Sequence, residues 1–183
     1  MNRLVVFGWG NPSRGDDALG PGLLAEVAKA NLPGVATVED FQLQIEHTLD
    51  MVDAGLLLFI DAGMGTPAPW TFQEIVAQPP GRLNTSSHAL SPQALLRVFE
   101  QVQGRPAPPA FLLCVRGEGF DLGAGLSEAG RLHAASAQRW LGRLLAQPDL
   151  DVWRQLCPDG RGAGATRLGF PQSSGMLAGK LHR

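Results

Sequence analysis

Apolar residues occur along this chain in short runs that alternate with longer stretches of three- and four-residue periodicity. Five short runs predict β-strands, at residues 4–7, 35–41, 55–60, 71–77 and 111–115. The run at residues 55–60 has no polar alternation. A strand of this kind is typical of a parallel sheet that is covered on both faces.

The periodic stretches predict three helices, each with one apolar face. The first carries Pro21 in its first turn, where the missing N–H costs little. Ser91 and Pro92 predict the start of the second helix, and Ser127 caps the third. The residues expected on the apolar faces are Leu19, Leu23, Leu24, Val27 and Ala30, then Leu95, Val98, Phe99 and Val102, and finally Ala137, Leu141, Leu144 and Leu145. Strands that alternate with helices predict an α/β fold, a single-domain three-layer sandwich in which a mostly parallel, twisted sheet has helices on both faces.

The regular pattern covers residues 1–147 of a chain of 183 residues, a length typical of one domain. Composition changes after this point. Gly and Pro become frequent from Pro158 onward, where no periodic pattern continues. Residues 148–183 are therefore expected to form a Gly/Pro-rich C-terminal extension, a loop or flexible segment rather than a second domain.

Composition and charge argue against several classes of protein. Fifteen Lys and Arg residues and 17 Asp and Glu residues give a formal net charge of −2, so nothing in the overall charge favours nucleic acid or an anionic membrane. The longest glycine-free apolar run, residues 110–115, is far below the roughly 20 residues of a membrane span. The apolar run at the N-terminus is too short for a secretory signal. These features predict a cytoplasmic protein.

Acidic residues and a histidine fall where α/β proteins bind their ligands. Asp16 and Asp17 lie in the loop after the first strand, Asp61 follows the third strand, and His88 lies in the polar loop before the helix capped by Ser91. Binding residues of an open α/β sheet lie at the carboxyl ends of strands near the switch point of the topology, so these side chains can converge on one crevice. Two carboxylates and an imidazole suit acid–base work or a borderline divalent ion such as Ni²⁺ or Zn²⁺.

Each of these residues also has an ordinary structural explanation. Asp16 or Asp17 at a helix start is typical of an N-cap, and His88 in a Ser/Thr loop is typical of a surface histidine. Asp61 is more informative, because a charge at the end of a buried strand needs a partner. Spacing alone leaves these alternatives open.

Several motifs together resemble one enzyme family. The first block is Leu4-Val5-Val6-Phe7-Gly8-Trp9-Gly10-Asn11-Pro12, followed by Arg14-Gly15-Asp16-Asp17 and Gly20-Pro21. Gln42-Leu43-Gln44-Ile45-Glu46, Ile60-Asp61-Ala62 and His88-Ala89-Leu90-Ser91 follow in the same order. Over residues 1–147 this pattern is similar to that of the hydrogenase maturation endopeptidases.

The resemblance implies a protease that removes a C-terminal peptide from the large subunit precursor of a NiFe hydrogenase after nickel insertion. Motif by motif, the nickel-recognising and catalytic residues fall on Asp17, Asp61 and His88, which would complete the coordination of a nickel carried by the substrate. Gln42 and Glu46 become candidates for substrate contact, although an exposed helix start gives the same residues, and Asp16 becomes a structural cap. No tightly bound cofactor is expected, and Ni, Zn or Cd can occupy the site. The resemblance also implies an aspartyl-type endopeptidase whose partner is a large folded protein, which favours a monomer that docks transiently.

Neither cysteine fits the role of a nucleophile. Cys114 lies inside a predicted strand, and Cys157 lies in the C-terminal extension. A protease without a conventional nucleophile is understandable if the metal arrives with the substrate, because a metal ion can polarise a carbonyl group or activate water.

Three other functions share part of this pattern. Peptidyl-tRNA hydrolase also begins with a strand and a Gly-x-Gly-Asn-Pro loop, but Ser13-Arg14 follows here and the chain has no Tyr. A dinucleotide-binding fingerprint fails because Ser13 stands where a third Gly is needed. A non-catalytic sensor or escort of the nickel-loaded subunit needs the same three ligands, and only a cleavage assay distinguishes it from a protease.

Overall fold

The structure is a computed structural model that describes residues 3–79 and 90–158. Its strands are β1 (Arg3–Trp9), β2 (Val35–Asp40), β3 (Ala54–Gly63), β4 (Trp70–Ile75) and β5 (Ala110–Arg116). Its α-helices are α1 (Leu19–Ala30), α2 (Pro92–Gln103), α3 (Glu128–Leu145) and α4 (Leu150–Leu156). Two 3₁₀ turns, Gly15–Ala18 and Ile45–Thr48, follow the carboxyl ends of β1 and β2.

The strands form one sheet in the order β2-β1-β3-β5-β4. The β1–β2, β1–β3 and β3–β5 pairs are parallel, whereas β4 pairs with β5 antiparallel. The register places Gly8 of β1 beside Ile60 of β3, and Asp61 of β3 beside Cys114 of β5. The predicted α/β fold with a mostly parallel sheet is confirmed.

Two hydrophobic cores cover the two faces of the sheet. On one face, side chains such as Val6 and Leu58 pack with residues of α1, α3 and α4. On the other face, Phe7 and Phe59 pack with residues of α2 such as Phe99. Alternate residues of each strand point to opposite faces, so β3 contributes Leu58 to the first core and Phe59 to the second. The result is the predicted three-layer sandwich.

Two helices begin with the serine caps that the sequence predicts. The hydroxyl of Ser91 accepts a hydrogen bond from the N–H of Ala94 at 3.1 Å, with Pro92 in the first turn of α2. Ser127 accepts from the N–H of Gly130 at 2.9 Å at the start of α3. Each bond satisfies an N–H that has no partner within its own helix, and this fixes where the helix begins.

The buried face of α2 differs from the predicted one at Leu96 and Val102. Leu95 and Phe99 are buried as expected, but Val102 is 64% exposed and Leu96 is buried instead. The buried face therefore begins one turn before the predicted one and ends before the last turn of the helix. Gly104, with φ of 63°, ends the helix. Spacing predicted the periodicity of α2 but not the point at which it leaves the sheet.

Helix α4 lies beyond the last predicted element. Asp149 caps it by accepting hydrogen bonds from the N–H groups of Asp151 and Val152, both at 3.0 Å. Trp153 is fully buried, and its indole N–H donates to the carbonyl of Gln147 at 3.1 Å. Residues 148–158 thus pack on the sheet, while residues 159–183 lie outside the described residues.

The topology leaves a switch point between β1 and β3. The chain leaves β1 through α1 on one face of the sheet and reaches β2, whereas α2 precedes β5 on the opposite face. Connections that diverge in this way open a crevice at the carboxyl ends of the two central strands.

No helix among the described residues is long and apolar enough to cross a membrane.

Candidate active site

Asp17 lies on the 3₁₀ turn directly after β1, at the switch point. Its Oδ2 atom accepts a hydrogen bond from the N–H of Asn11 at 2.8 Å. Gly10 has φ of 146°, and a Cβ atom at this position would clash with the carbonyl oxygen of Asp17. The loop therefore needs glycine to bring its backbone this close to the acidic turn.

Asp61 lies on β3, on the neighbouring strand, and is half-buried. Its Oδ1 atom accepts from the N–H of Ala62 at 2.8 Å. Burial raises the pKa of Asp61, the Ala62 hydrogen bond opposes this, and the negative charge of Asp17 raises it further, to about 7. The charge of Asp17 therefore acts on Asp61, and Asp61 can gain or lose a proton near neutral pH.

Cys114 lies beside Asp61 in the β3–β5 register. Its Sγ atom is 2.9 Å from the hydroxyl oxygen of Thr66. Burial raises the pKa of the thiol, and the charge of Asp61 acts in the same direction against the Thr66 hydrogen bond. A thiol held in its protonated form is a poor nucleophile, which agrees with the sequence interpretation of Cys114.

The third predicted ligand, His88, lies outside the described residues, so its role stays a prediction. Within residues 3–79 and 90–158, no group of three or more His, Cys, Asp and Glu side chains could hold a metal ion. Of the three predicted ligands, the described residues thus include the two carboxylates, Asp17 and Asp61.

Of the two predicted substrate-contact residues, Gln42 lies between β2 and the 3₁₀ turn that follows it, and Glu46 lies on that turn. Gln42 and Glu46 are both exposed. They are interspersed with large apolar side chains that are also exposed, namely Phe41 at 67%, Ile45 at 56% and Leu49 at 69%. We call these five residues the β2 surface. Exposed apolar side chains grouped in this way are typical of a protein-binding surface.

His47 is held within the same segment by its neighbours. Its Nδ1 atom accepts from the N–H of Gln44 at 3.0 Å, and its Nε2 atom is 3.4 Å from Oδ2 of Asp40. The carbonyl oxygen of Asp40 in turn accepts from the N–H of Gly10 at 3.2 Å. His47 thus organises the backbone after β2, and this backbone contacts the loop that leads to Asp17.

The role of Asp16 differs from the predicted cap. Helix α1 has Ala18 at its N-cap, with no side-chain hydrogen bond there. The carboxylate of Asp16 is instead fully buried, and it accepts from the N–H groups of Glu118 at 2.7 Å and Gly119 at 3.0 Å. It also accepts from the N–H of Ser127 at 2.8 Å and from its hydroxyl at 2.7 Å.

These hydrogen bonds decide the charge of Asp16. Burial alone acts to raise the pKa of the carboxyl, but the Ser127 hydroxyl and the N–H groups of Glu118, Gly119 and Ser127 outweigh it, and the pKa is lowered. Asp16 is therefore a charged group in the interior. Sequence reasoning missed this contact because its partners lie 102 to 111 positions away.

A second contact joins the loops that follow β3 and β5. Nη1 of Arg116 donates to the carbonyl of Thr66 at 3.1 Å, and its Nε donates to Glu118 at 3.0 Å. Nδ1 of His133 lies 2.8 Å from the carbonyl oxygen of Arg116. The loop after β5 is thus tied both to the loop beyond Asp61 and to α3.

Comparison with solved structures places this arrangement in a known fold. A NiFe hydrogenase maturation protease, HycI from Thermococcus kodakarensis KOD1, matches with a TM-score of 0.61 at 22% identity, over 80% of this chain and 94% of that one. The hydrogenase maturating endopeptidase HybD from E. coli matches with a TM-score of 0.59 at 18% identity, over 79% and 93% of the two chains. An endopeptidase from Escherichia coli matches with a TM-score of 0.62 at 22% identity, over 81% and 94%.

The chain has the fold of the hydrogenase maturation proteases. No protein-family profile matches its sequence, and no curated protein sequence does. At these identities the similarity concerns the three-dimensional structure. In this chain the fold places Asp17 on the turn that follows β1 and Asp61 on the adjacent strand β3.

Proposed function

We propose that this protein is a peptide hydrolase that removes a C-terminal peptide from the nickel-loaded large subunit precursor of a NiFe hydrogenase. The proposal rests mainly on the placement of Asp17 after β1 and of Asp61 on the adjacent strand β3, at the switch point of a maturation-protease fold. Burial and the charge of Asp17 raise the pKa of Asp61 to about 7. A pair of interacting carboxylates in a crevice is typical of a functional site rather than of a structural one.

In this proposal the nickel is part of the substrate, and Asp17, Asp61 and His88 complete its coordination. Carboxylate oxygens and an imidazole nitrogen suit Ni²⁺, and Zn²⁺ or Cd²⁺ can take the same ligands. A carboxylate binds a metal ion in its charged form, so Asp61 releases its proton as the nickel-loaded substrate docks. The nickel can then polarise the scissile carbonyl or activate a water molecule, which provides hydrolysis without a side-chain nucleophile.

The β2 surface is the proposed contact for the body of the precursor. Gln42 and Glu46 offer polar contacts, and the exposed Phe41, Ile45 and Leu49 offer apolar area that docking would bury. The surface follows β2, whose last residue, Asp40, contacts Gly10 beside the acidic turn. A precursor bound there would lie next to Asp17. The protein is proposed to act as a cytoplasmic monomer that holds no cofactor of its own.

The test is the intact mass of a nickel-loaded large subunit precursor before and after incubation with the protein. We expect loss of a C-terminal peptide from the nickel-loaded precursor and no loss from the metal-free precursor. Asp17→Asn should abolish processing, whereas Asp149→Asn, which changes an acid at the start of α4, should process normally. His88→Ala should also impair processing.

The other outcomes separate the alternatives. Tight binding of the nickel-loaded precursor without any loss of mass would identify a non-catalytic escort. If the precursor is neither bound nor cleaved, the proposal is contradicted. Release of the peptide from a peptidyl-tRNA tested in parallel would identify a different hydrolase.

A further inference from the structure

Asp16 and Asp17 are adjacent on one 3₁₀ turn, yet their side chains have different partners. Asp17 accepts from the N–H of Asn11, in the loop that follows β1, and β1 is paired with β3, which carries Asp61. Asp16 accepts from backbone and hydroxyl groups of Glu118, Gly119 and Ser127, in the segment that joins β5 to α3. Asp16 therefore anchors the turn to this segment, while Asp17 faces the crevice.

The segment that receives Asp16 is shaped around its carboxylate. A Cβ atom at Gly130 would clash with Oδ1 of Asp16, and one at Gly117 would lie 2.9 Å from its Cβ atom. The backbone N–H of Asp16 also donates to the carbonyl of Gly119 at 2.7 Å. Ser127 serves two partners at once, since its hydroxyl donates to Asp16 and accepts from the N–H of Gly130 at the start of α3.

We infer that Asp16 is a positioning residue, which fixes the turn at residues 15–18 against the segment between β5 and α3 and thereby sets where Asp17 stands relative to Asp61. This inference rests on the proposed function, in which Asp17 is the residue that meets the nickel. Asp16 itself is turned away from the crevice and acts only through its neighbour.

Asp16 can fix the turn because its buried carboxylate is stable only while it keeps its hydrogen bonds. Leaving its partners would strand both a buried charge and the N–H groups of Glu118, Gly119 and Ser127, which is unfavourable for each of them. Asp16→Asn keeps the shape of the side chain but presents an NH₂ group to N–H donors. Such a variant should therefore release the turn without removing Asp17.

The first measurement is amide hydrogen exchange by NMR at Asn11, whose N–H donates to Asp17. We expect Asp16→Asn to speed this exchange by at least about tenfold while the amide of the fully buried Phe59 keeps its rate, since only local opening is involved. Asp149→Asn is the matched control, because Asp149 also accepts backbone hydrogen bonds but does so as the N-cap of α4. An unchanged exchange rate at Asn11 in a folded Asp16→Asn protein would overturn the inference.

A milder pair of variants covers the case in which Asp16→Asn does not fold. Ser127→Ala removes the hydroxyl that donates to Asp16, whereas Ser127→Thr keeps it. Faster exchange at Asn11 in Ser127→Ala, with a normal rate in Ser127→Thr, supports the inference. Equal rates in the two variants contradict it.

Cleavage of the nickel-loaded precursor is measured on the same variants under conditions in which all are folded. We expect kcat/KM to fall in Asp16→Asn and Ser127→Ala and to be kept in Ser127→Thr and Asp149→Asn. If exchange at Asn11 is faster in Asp16→Asn and Ser127→Ala but the wild-type protein does not cleave the precursor, the positioning role stands and the proposed function is contradicted. Full cleavage by a variant whose Asn11 amide exchanges rapidly would reject positioning as a requirement for activity.

Discussion

Asp17 and Asp61 are electrostatically coupled across the switch point of the sheet. Burial raises the pKa of Asp61 in the first place, and the carboxylate of Asp17 adds to this effect although a hydrogen bond from Ala62 opposes it. The pKa of about 7 means that the folded protein holds a proton on Asp61 through much of the acidic range. Several measurable properties follow from this relationship and from the contacts around it.

Removing the charge of Asp17 should lower the pKa of Asp61. In Asp17→Asn the coupling disappears while burial remains, so the pKa should fall but stay above the ordinary value of 3.8. Carboxyl ¹³C NMR of the metal-free protein measures this directly. Asp53→Asn, a change at an exposed acid, is the control. An unaltered Asp61 titration in Asp17→Asn would show that the two groups are not coupled.

The raised pKa of Asp61 should also make the stability of the protein depend on pH. Between the unfolded value of 3.8 and the folded value of about 7, the native state holds a proton that the unfolded state has lost. The free energy of unfolding contributed by this group is therefore fully present below pH 3.8 and is lost as the pH rises towards 7. Urea denaturation at a series of pH values should show a smaller decrease over this range for Asp61→Asn than for the wild type.

The opposite sign is expected for Asp16. Its folded pKa is lowered, so its stabilising contribution is present above the unfolded value of 3.8 and is lost as the pH falls through the folded pKa. At neutral pH, Asp16→Ala should lower the free energy of unfolding by about 3 kcal/mol, because buried donors lose a charged acceptor. Asp149→Ala should cost only about 1 kcal/mol, as expected for an exposed helix cap. Equal losses in the two variants would mean that the buried network of Asp16 stabilises the protein no more than an exposed helix cap does.

Two Gly→Ala substitutions should have opposite effects on stability. Gly10 has a positive φ, and a Cβ atom there meets the carbonyl of Asp17, so Gly10→Ala should destabilise the protein by roughly 1–3 kcal/mol. Gly22 lies within α1 with nothing near its Cβ position, and Gly22→Ala should stabilise the protein by up to about 1 kcal/mol. Urea denaturation of both variants measures the difference. A stable Gly10→Ala protein would contradict the close approach of this loop to the acidic turn.

Trp153→Ala should test whether α4 belongs to the folded core. The indole is fully buried, and its ring lies 5.3 Å from that of Phe111 in an edge-on arrangement. Its removal should cost about 3–5 kcal/mol of stability. Trp140 is only partly buried against the same core, so Trp140→Ala should cost less. A near-normal melting temperature for Trp153→Ala would show that α4 is only loosely attached.

Local sequence patterns predicted most of the fold because the elements depend on local rules. The apolar run of β3 and the caps of α2 and α3 at Ser91 and Ser127 can be identified without knowing their surroundings. Helix α4 was missed because its burial depends mainly on one residue, Trp153, and gives no periodic pattern. The exposure of Val102 depends on where α2 extends beyond the sheet, and the sequence of α2 alone does not predict that point.

The candidate site was predicted less completely than the fold. Strand order brings Asp17 and Asp61 together, and the apolar run before Asp61 was a sufficient signal for its position. The contrast between Asp16 and Asp17 could not be predicted, because neighbouring residues of the same type differ only in which distant groups they meet. Only the path of the chain between β5 and α3 distinguishes them.

The contacts of Asp16 also bear on when the acidic turn acquires its final form during folding. Its partners lie more than 100 positions later in the chain, so their closure is among the long-range steps that slow folding. An N-terminal segment emerging from the ribosome contains Asp17 and Asp61 well before Ser127 has been synthesised. The turn can therefore be locked only after the strand and helix at the far end of the domain have been made, and a partly synthesised chain would carry both acids without the support that fixes their spacing.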